Sequence, residues 1–513
     1  MKNPTTLRLI LGDQLNEQHS WFNEISSSLT YVMMEVRTET DYAQHHIQKV
    51  LGFFTAMRHF ANWLRTKNQN VIYIKLTDDT NLQSFSANLQ AIIASNQFEK
   101  FEYQLPDEYR LDLELVELCA TLTIPYSVVD SEHFYTTRTE LSDFFASKKT
   151  FLMESFYRNM RTKHQVLMDG SQPVTGKWNY DDDNRKKIPK DHVPSAPLVF
   201  NNDVTELFNE LAQTAIKTIG NCNPKAFIWP VNRKQSLELL AYFIDECLPL
   251  FGTFQDAMAP NQWSLYHARI SFSMNTKMIS PKEVVNAAIA AWEENPERIA
   301  YNQLEGFVRQ IIGWREYMRG IYWNQMPAYQ TKNFFNHQNK LPEWFWTGQT
   351  KMNCLKDAIN QSLDYSYAHH IQRLMITGNF ALLAGVHPDE VDAWYLGIYI
   401  DAIEWVEITN TRGMSQFADG GIVATKPYVS SATYIDKMSH YCGTCYYSKA
   451  IKVGEKACPF NSLYWNFYDQ HEALLSKNPR IGMMYAVWRK MAPADKTALL
   501  EQAAYYLNHI NEL

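Results

Sequence analysis

LRLILGDQL, residues 7–15, is a strand-forming run closed by a Gly-Asp-Gln turn, and it is the first of five such runs. YVMMEV (31–36), VIYIKL (71–76), FEYQL (101–105) and YSVVD (126–130) follow. Helical patterns separate them. The clearest is IQKVLGFFTAMRHFANWLRTK (47–67), with apolar residues at three- and four-residue spacing. Strand–helix–strand alternation predicts a doubly wound parallel sheet over residues 1–135. No G-x-G-x-x-G fingerprint is present. Ligands of such sheets bind beyond the carboxyl ends of the strands. Gly12, Asp13 and Gln14, after the first run, and Glu35, at the end of the second, are therefore candidate ligand contacts. A plain turn and a solvated carboxylate would use the same residues.

A chain of 513 residues is too long for one core, so two or three domains are expected. Residues 136–230 contain the polar stretch TGKWNYDDDNRKKIPKDHVPSAP and read as an interdomain connector. Between Arg158 and Lys190 stand eight Lys/Arg against four Asp. This local excess suits either a phosphate-tracking surface or a solvated loop. Asp181-Asp182-Asp183 has the oxygen donors that a hard cation such as Mg2+ takes, and also the composition of a solvated turn. From 231 to 513 strand-like runs vanish and amphipathic patterns follow one another, which predicts a large all-α domain.

Net charge is −7, which argues against coating nucleic acid by bulk charge but leaves room for a local basic groove. Aromatic residues make up 14% of the chain, as large helical cores require and as stacking on a planar cofactor or base would also require. There is no run of about 18 apolar residues and no secretory h-region, so a cytoplasmic protein without a membrane segment is expected. In that compartment thiols are reduced, and clustered cysteines point to metal or redox chemistry.

Such a cluster exists in SHYCGTCYYSKAIKVGEKACPF (439–460): Cys442-x2-Cys445-x12-Cys458-Pro459. Four ligands are normally required, and Cys354, upstream in the same helical half, is the natural candidate for the fourth. A 4Fe–4S cluster fits the spacing and the Cys-Pro ending. Structural zinc more often takes two close pairs. A thioredoxin-like pair needs a βαβ context, which this region lacks. Ordinary thiols complete the alternatives.

Several segments together resemble the photolyase/cryptochrome superfamily. In ARISFSMNTKMISP (268–281), Arg269-Ile270-Ser271 and Ile279-Ser280-Pro281 take the places of its Arg-Leu-Ser and Leu-Ser-Pro, with Lys277 where the superfamily has glycine. IIGWREYMRG (311–320) and YAHHIQRLMITGNFALL (367–383) resemble its Trp-Arg-Glu block and its double-His helix. The four cysteines, with GDQL, AMRHFA (56–61) and GKWNYD (176–181), resemble the iron–sulfur bacterial cryptochrome/photolyase branch.

The resemblance implies a monomeric prokaryotic 6-4 photolyase, a carbon–carbon lyase acting on UV-damaged DNA. It implies FAD in the helical domain, a 4Fe–4S cluster on Cys354, Cys442, Cys445 and Cys458, and a 6,7-dimethyl-8-ribityllumazine antenna on Gly12, Asp13, Gln14 and Glu35. By the same resemblance His369, His370, Tyr428, Tyr434 and Gln310 lie at the lesion. Arg269, Ser271, Arg373 and Glu407 hold the flavin, and Trp346, Trp394 and Tyr395 form an electron relay. A histidine at the lesion makes chemical sense, because imidazolium can donate a proton near neutral pH. The alternative within the same fold is a blue-light receptor with little repair activity.

Overall fold

The computed structural model describes residues 5–513 except 97 and 149. Five strands form the predicted sheet: β1 (Thr6–Leu9), β2 (Leu29–Met34), β3 (Asn70–Ile74), β4 (Lys100–Gln104) and β5 (Tyr126–Val129). All pairs are parallel and the order is β3-β2-β1-β4-β5. Helices α1 (Ile47–Thr66), α2 (Phe85–Asn96) and α3 (Tyr109–Thr121) supply crossovers. β2 is buried throughout, as a central strand covered on both faces must be. The strand order reverses between β1 and β4, which opens a crevice at their carboxyl ends.

α1 also binds the second half of the molecule. His46 caps it: Nδ1 accepts from the Gln48 N–H at 3.0 Å, and Nε2 meets the Leu363 carbonyl at 2.8 Å. Gln48 donates to the Asp364 carbonyl at 2.6 Å, and Lys49 donates to that of Leu396 at 2.6 Å.

Residues 136–230 divide their packing between two cores. The helix Met153–His164 places Phe156, Tyr157 and Met160 in the helical core. The helix Thr205–Ala212 sets Leu207 and Leu211 in the same cluster as Val50, Phe54 and Met57 of α1.

From Arg233 onward the described elements are helical and enclose one continuous core. The Ile279-Ser280-Pro281 motif is a helix start. Ser280 Oγ accepts from the Glu283 N–H at 3.2 Å, Glu283 accepts from the Ser280 N–H at 2.8 Å, and Pro281 opens the first turn. Helices are interrupted by π-turns at Arg309–Arg315, Arg373–Gly378 and Thr409–Ser415. Such widened turns recur where a helix must redirect side chains at a site. Among the described residues no helix is long and apolar enough to cross a membrane.

Candidate functional site

Asp401 organises the centre of the helical half. Arg373 donates to both of its carboxylate oxygens, at 2.9 and 3.1 Å, and Ser271 Oγ donates to Oδ2 at 2.6 Å. Asn275 Nδ2 donates to its main-chain carbonyl at 2.7 Å. The Arg373 guanidinium lies 3.8 Å from the Tyr399 ring centroid. Burial works against its charge, but Asp401 outweighs that and raises its pKa. Arg269, 4% exposed, donates from Nη2 to the Leu198 carbonyl at 2.8 Å and leaves Nε without a partner.

A cluster of imidazoles adjoins this pair. His369 is buried, and neither ring nitrogen has a partner. His267 stacks on it with centroids 4.4 Å apart and planes 8° from parallel. Burial first, and neighbouring positive groups second, push His267 down to about 3 and His369 well below the ordinary range. His370 keeps exposure to solvent, yet protein crowds it enough that desolvation, then Arg373, lowers its pKa as well. All three rings are neutral at pH 7, so sequence-based imidazolium chemistry requires an added negative charge in the cleft.

Glu407 is buried and its Oε1 has no partner. Burial, then Asp392, holds its carboxyl well above the carboxylate range. Trp394 donates from Nε1 to the Phe345 carbonyl at 3.1 Å and meets Tyr395 at 5.3 Å and Tyr399 at 5.8 Å between centroids. The Tyr395 hydroxyl donates to the Arg373 carbonyl at 2.6 Å. Trp346 stands 38% exposed, next in sequence to Phe345, whose ring packs edge-on against Trp394 at 5.2 Å. Aromatic rings thus run from Phe345 through Trp394 to Tyr399, which lies against Arg373.

Tyr428 and Tyr434 are half-buried, and both feel the charges of Arg185 and Asp256. Burial pushes Asp256 up to about 6, while Arg185 pulls down and Asp181 adds to the rise. Gln310 is half-buried on the Arg309–Arg315 π-turn, where its amide reaches only the Gly306 carbonyl, at 3.5 Å.

The four predicted cysteine ligands come to one place. Cys354 opens the helix Asn353–Tyr365, Cys442 and Cys445 bound the turn at Tyr441–Thr444, and Cys458 precedes Pro459–Gln470. Asn353 donates to Thr444 Oγ1 at 3.2 Å, and Cys445 Sγ lies 3.7 Å from the Lys351 carbonyl. Burial raises the Cys354 thiol well above its usual range, and Cys458, Cys445 and Cys442 each add to the rise. Burial likewise lifts Cys442 to about 11 and Cys458 to about 12. Among the described residues no three ligating side chains converge as a single ion requires.

The crevice at the sheet holds a cavity of about 110 Å³, lined by Gly12, Asp13, Lys49, Phe53, Glu108 and Glu404 among others. A Cβ on Gly12 would come to 3.0 Å from Met57 Sδ, so a larger residue there would displace the Met57 side chain. Gln14 and Glu35 do not line the cavity; both are used inside its wall. Gln14 accepts from the Leu11 N–H at 3.0 Å and donates to the Gln104 carbonyl at 3.2 Å. Glu35 takes Arg58 at 2.7 and 3.0 Å, Tyr73 at 2.7 Å and the Leu76 N–H at 3.0 Å.

The model of the family described as deoxyribodipyrimidine photo-lyase-related protein matches residues 8–227. A (6-4) photolyase of Agrobacterium fabrum is 40% identical over 511 residues, spanning 98% of this chain and 99% of that protein. The chain belongs to the bacterial (6-4) photolyase family. Two solved structures share the family's fold. A bacterial class III photolyase from Agrobacterium tumefaciens, 13% identical, superposes with a TM-score of 0.55 over 96% of this chain and 99% of its own. A Synechocystis cryptochrome, 12% identical, does so at 0.56 over 99% and 100%.

Sequence reasoning missed Asp401 and His267. Asp401 sits in a largely apolar run, YIDAIEW, where a buried acid is informative; His267 directly precedes the 268–281 motif already singled out. Neither partner was visible, because Asp401 meets Arg373 across 28 positions and His267 meets His369 across about a hundred.

Proposed function

We propose that the chain is a light-dependent DNA lyase that repairs 6-4 pyrimidine-pyrimidone photoproducts with FAD. The observation that carries this reading is the imidazole cluster: both His369 ring nitrogens and His267 Nε2 are buried without partners, close to the charge of Arg373. Buried polar atoms are normally paired, so a set left without partners is a set awaiting a ligand. Arg269 Nε and Glu407 Oε1 belong to that set. Both suit FAD: a cation for its phosphates, and a buried carboxyl for its ring. FAD, when bound and reduced, supplies an electron on illumination.

The protein's residues do the rest. Aromatic faces at Tyr428 and Tyr434 suit a base flipped out of the duplex, offsetting part of the few kcal/mol that extrusion costs. Negative charge arriving on the lesion raises the pKa values of neutral His369 and His370, drawing a proton to the ring that then delivers it. Arg373, held by Asp401, faces the same charge. The basic stretch 158–190, including Arg185, offers phosphate contacts, and Asp181 with Asp256 offers oxygen donors for a Mg2+ ion.

The grouped thiols fit a 4Fe–4S cluster, whose thiolates are spread over four irons and need not converge on one point. A tetrahedral zinc would need that convergence. The cluster's part is structural, tying Cys354 to the 442–458 loop.

Illumination of reduced, flavin-loaded protein with lesion-bearing duplex is the test. Restored bases in the light, and none in the dark, are expected. A light-driven flavin change with no restored bases would favour the photoreceptor reading.

A further inference from the structure

Lys277 stands where the superfamily has glycine, and the backbone there has φ +64°, the left-handed region that glycine takes readily and lysine resists. A costly conformation occupied by a large residue directs attention to its side chain. That side chain is 1% exposed and crosses from the helical half into the crevice of the sheet. Three oxygens surround its Nζ: the Asp13 carbonyl at 2.7 Å, Asp13 Oδ2 at 2.9 Å and Asp107 Oδ2 at 2.8 Å. Both aspartates line the cavity.

The two carboxylates are not equivalent. Asp107 has a cation at each oxygen, Lys277 Nζ at 2.8 Å from Oδ2 as an ion pair without a hydrogen bond and Arg319 at 3.5 Å from Oδ1. Asp13 is engaged at one; among the described residues its Oδ1 has no side-chain partner, and its side chain remains 18% exposed on the cavity wall.

We propose that Lys277 is the positioning residue of this cavity: its ammonium fixes Asp13 so that the free Oδ1 accepts a hydrogen bond from a ligand hydroxyl or ring N–H. The cavity then selects a ligand that donates at that point and disfavours one presenting an acceptor, which would meet a fixed negative oxygen. The inference rests on reading the crevice as the antenna site and deepens it by naming what sets its ligand chemistry.

The test is titration of antenna-free, flavin-loaded protein with 6,7-dimethyl-8-ribityllumazine, followed by the ligand's fluorescence. Lys277→Met keeps the stem and removes the charge; it should weaken binding roughly tenfold, the scale of one lost charged hydrogen bond, with flavin content unchanged. Asp13→Asn should weaken it similarly. The double variant should bind no worse than Asp13→Asn alone, because Lys277 acts through Asp13; a merely structural lysine would give losses that multiply. Should Lys277→Met fail to fold, Lys277→Gly removes the ammonium at a position whose backbone suits glycine, and the same loss is expected. Wild-type affinity in Lys277→Met or Lys277→Gly, or multiplicative losses in the double variant, would overturn the inference. Absence of lumazine binding by the wild type would instead overturn the antenna reading and take the inference with it.

Discussion

The crevice at the sheet and the cleft in the helical half both contain buried charge, but they treat it differently. At the crevice the paired charge stands behind the cavity: Glu35 receives Arg58, Tyr73 and a backbone N–H, and Arg58 also meets Glu210 at 2.6 Å, while on the lining itself both His45 ring nitrogens have no partner. In the helical cleft Arg373 and Asp401 are paired, whereas two nitrogens of His369, Arg269 Nε and Glu407 Oε1 have no partner. Unpaired groups cost stability and are kept where chemistry needs them free. In the first region the Arg58–Glu35 pair stands apart from unpaired His45 on the lining; in the second the Arg373–Asp401 pair stands beside unpaired His369.

Four substitutions and one titration sharpen the contrast. The largest effect is expected from His369→Ala, which should cut light-driven repair by about 10²–10⁴-fold, the usual worth of a positioned proton donor. Its denaturation midpoint should fall only by what the lost stacking on His267 and the cavity left behind cost, since no hydrogen bond of the ring is lost. A large fall in stability would make His369 a packing residue.

Asp401→Asn should cost about 3 kcal/mol, because Arg373, 20% exposed, would be left as a partly buried, uncompensated cation. Urea unfolding and flavin content of the purified protein would show it; a stable, flavin-loaded variant would break the view of Asp401 as organiser. Glu35→Gln should cost about 2 kcal/mol, less because Arg58 keeps Glu210. Lumazine affinity should fall little if Glu35 serves the wall and not the ligand.

pH supplies the next test. His46, His337 and His471 are each held down to about 4, by burial first. The unfolded chain takes up these protons below about pH 6.5, while the folded one resists until about 4. Their stabilising effect is therefore present above pH 6.5 and is lost as pH falls toward 4. Unfolding midpoints measured from pH 7.5 to 4.5 should fall steadily, and a flat profile would contradict the burial of these rings.

The smallest effect concerns Trp394→Phe. Photoreduction of oxidised flavin should slow in a transient-absorption measurement, while repair by chemically reduced protein persists. Equal loss of both would assign Trp394 to packing.

Much of this contrast was legible in the sequence, and its limits have a physical cause. The five strands came within a few residues of their predicted places, since period and turn chemistry are local. Cys442, Cys445 and Cys458 were legible from spacing. Gln14 and Glu35 were legible as strand-end residues but not as wall residues, because position along a strand fixes neither Arg58 nor the Gln104 carbonyl as partner. Asp401 and His267 were illegible because their partners lie far along the chain. The neutral state of the imidazoles could not be read at all, being a property of burial.

α1 ends as the shared beam of the molecule. Its first turn is bonded to the carbonyls of Leu363, Asp364 and Leu396, and its middle, at Phe53 and Met57, borders the crevice. Two chromophores that exchange excitation through space need a constant mutual tilt more than they need contact. A rod pinned at one end to the helical half and lying along the sheet would keep that tilt steady through thermal jostling for any two ligands held one on each side of it.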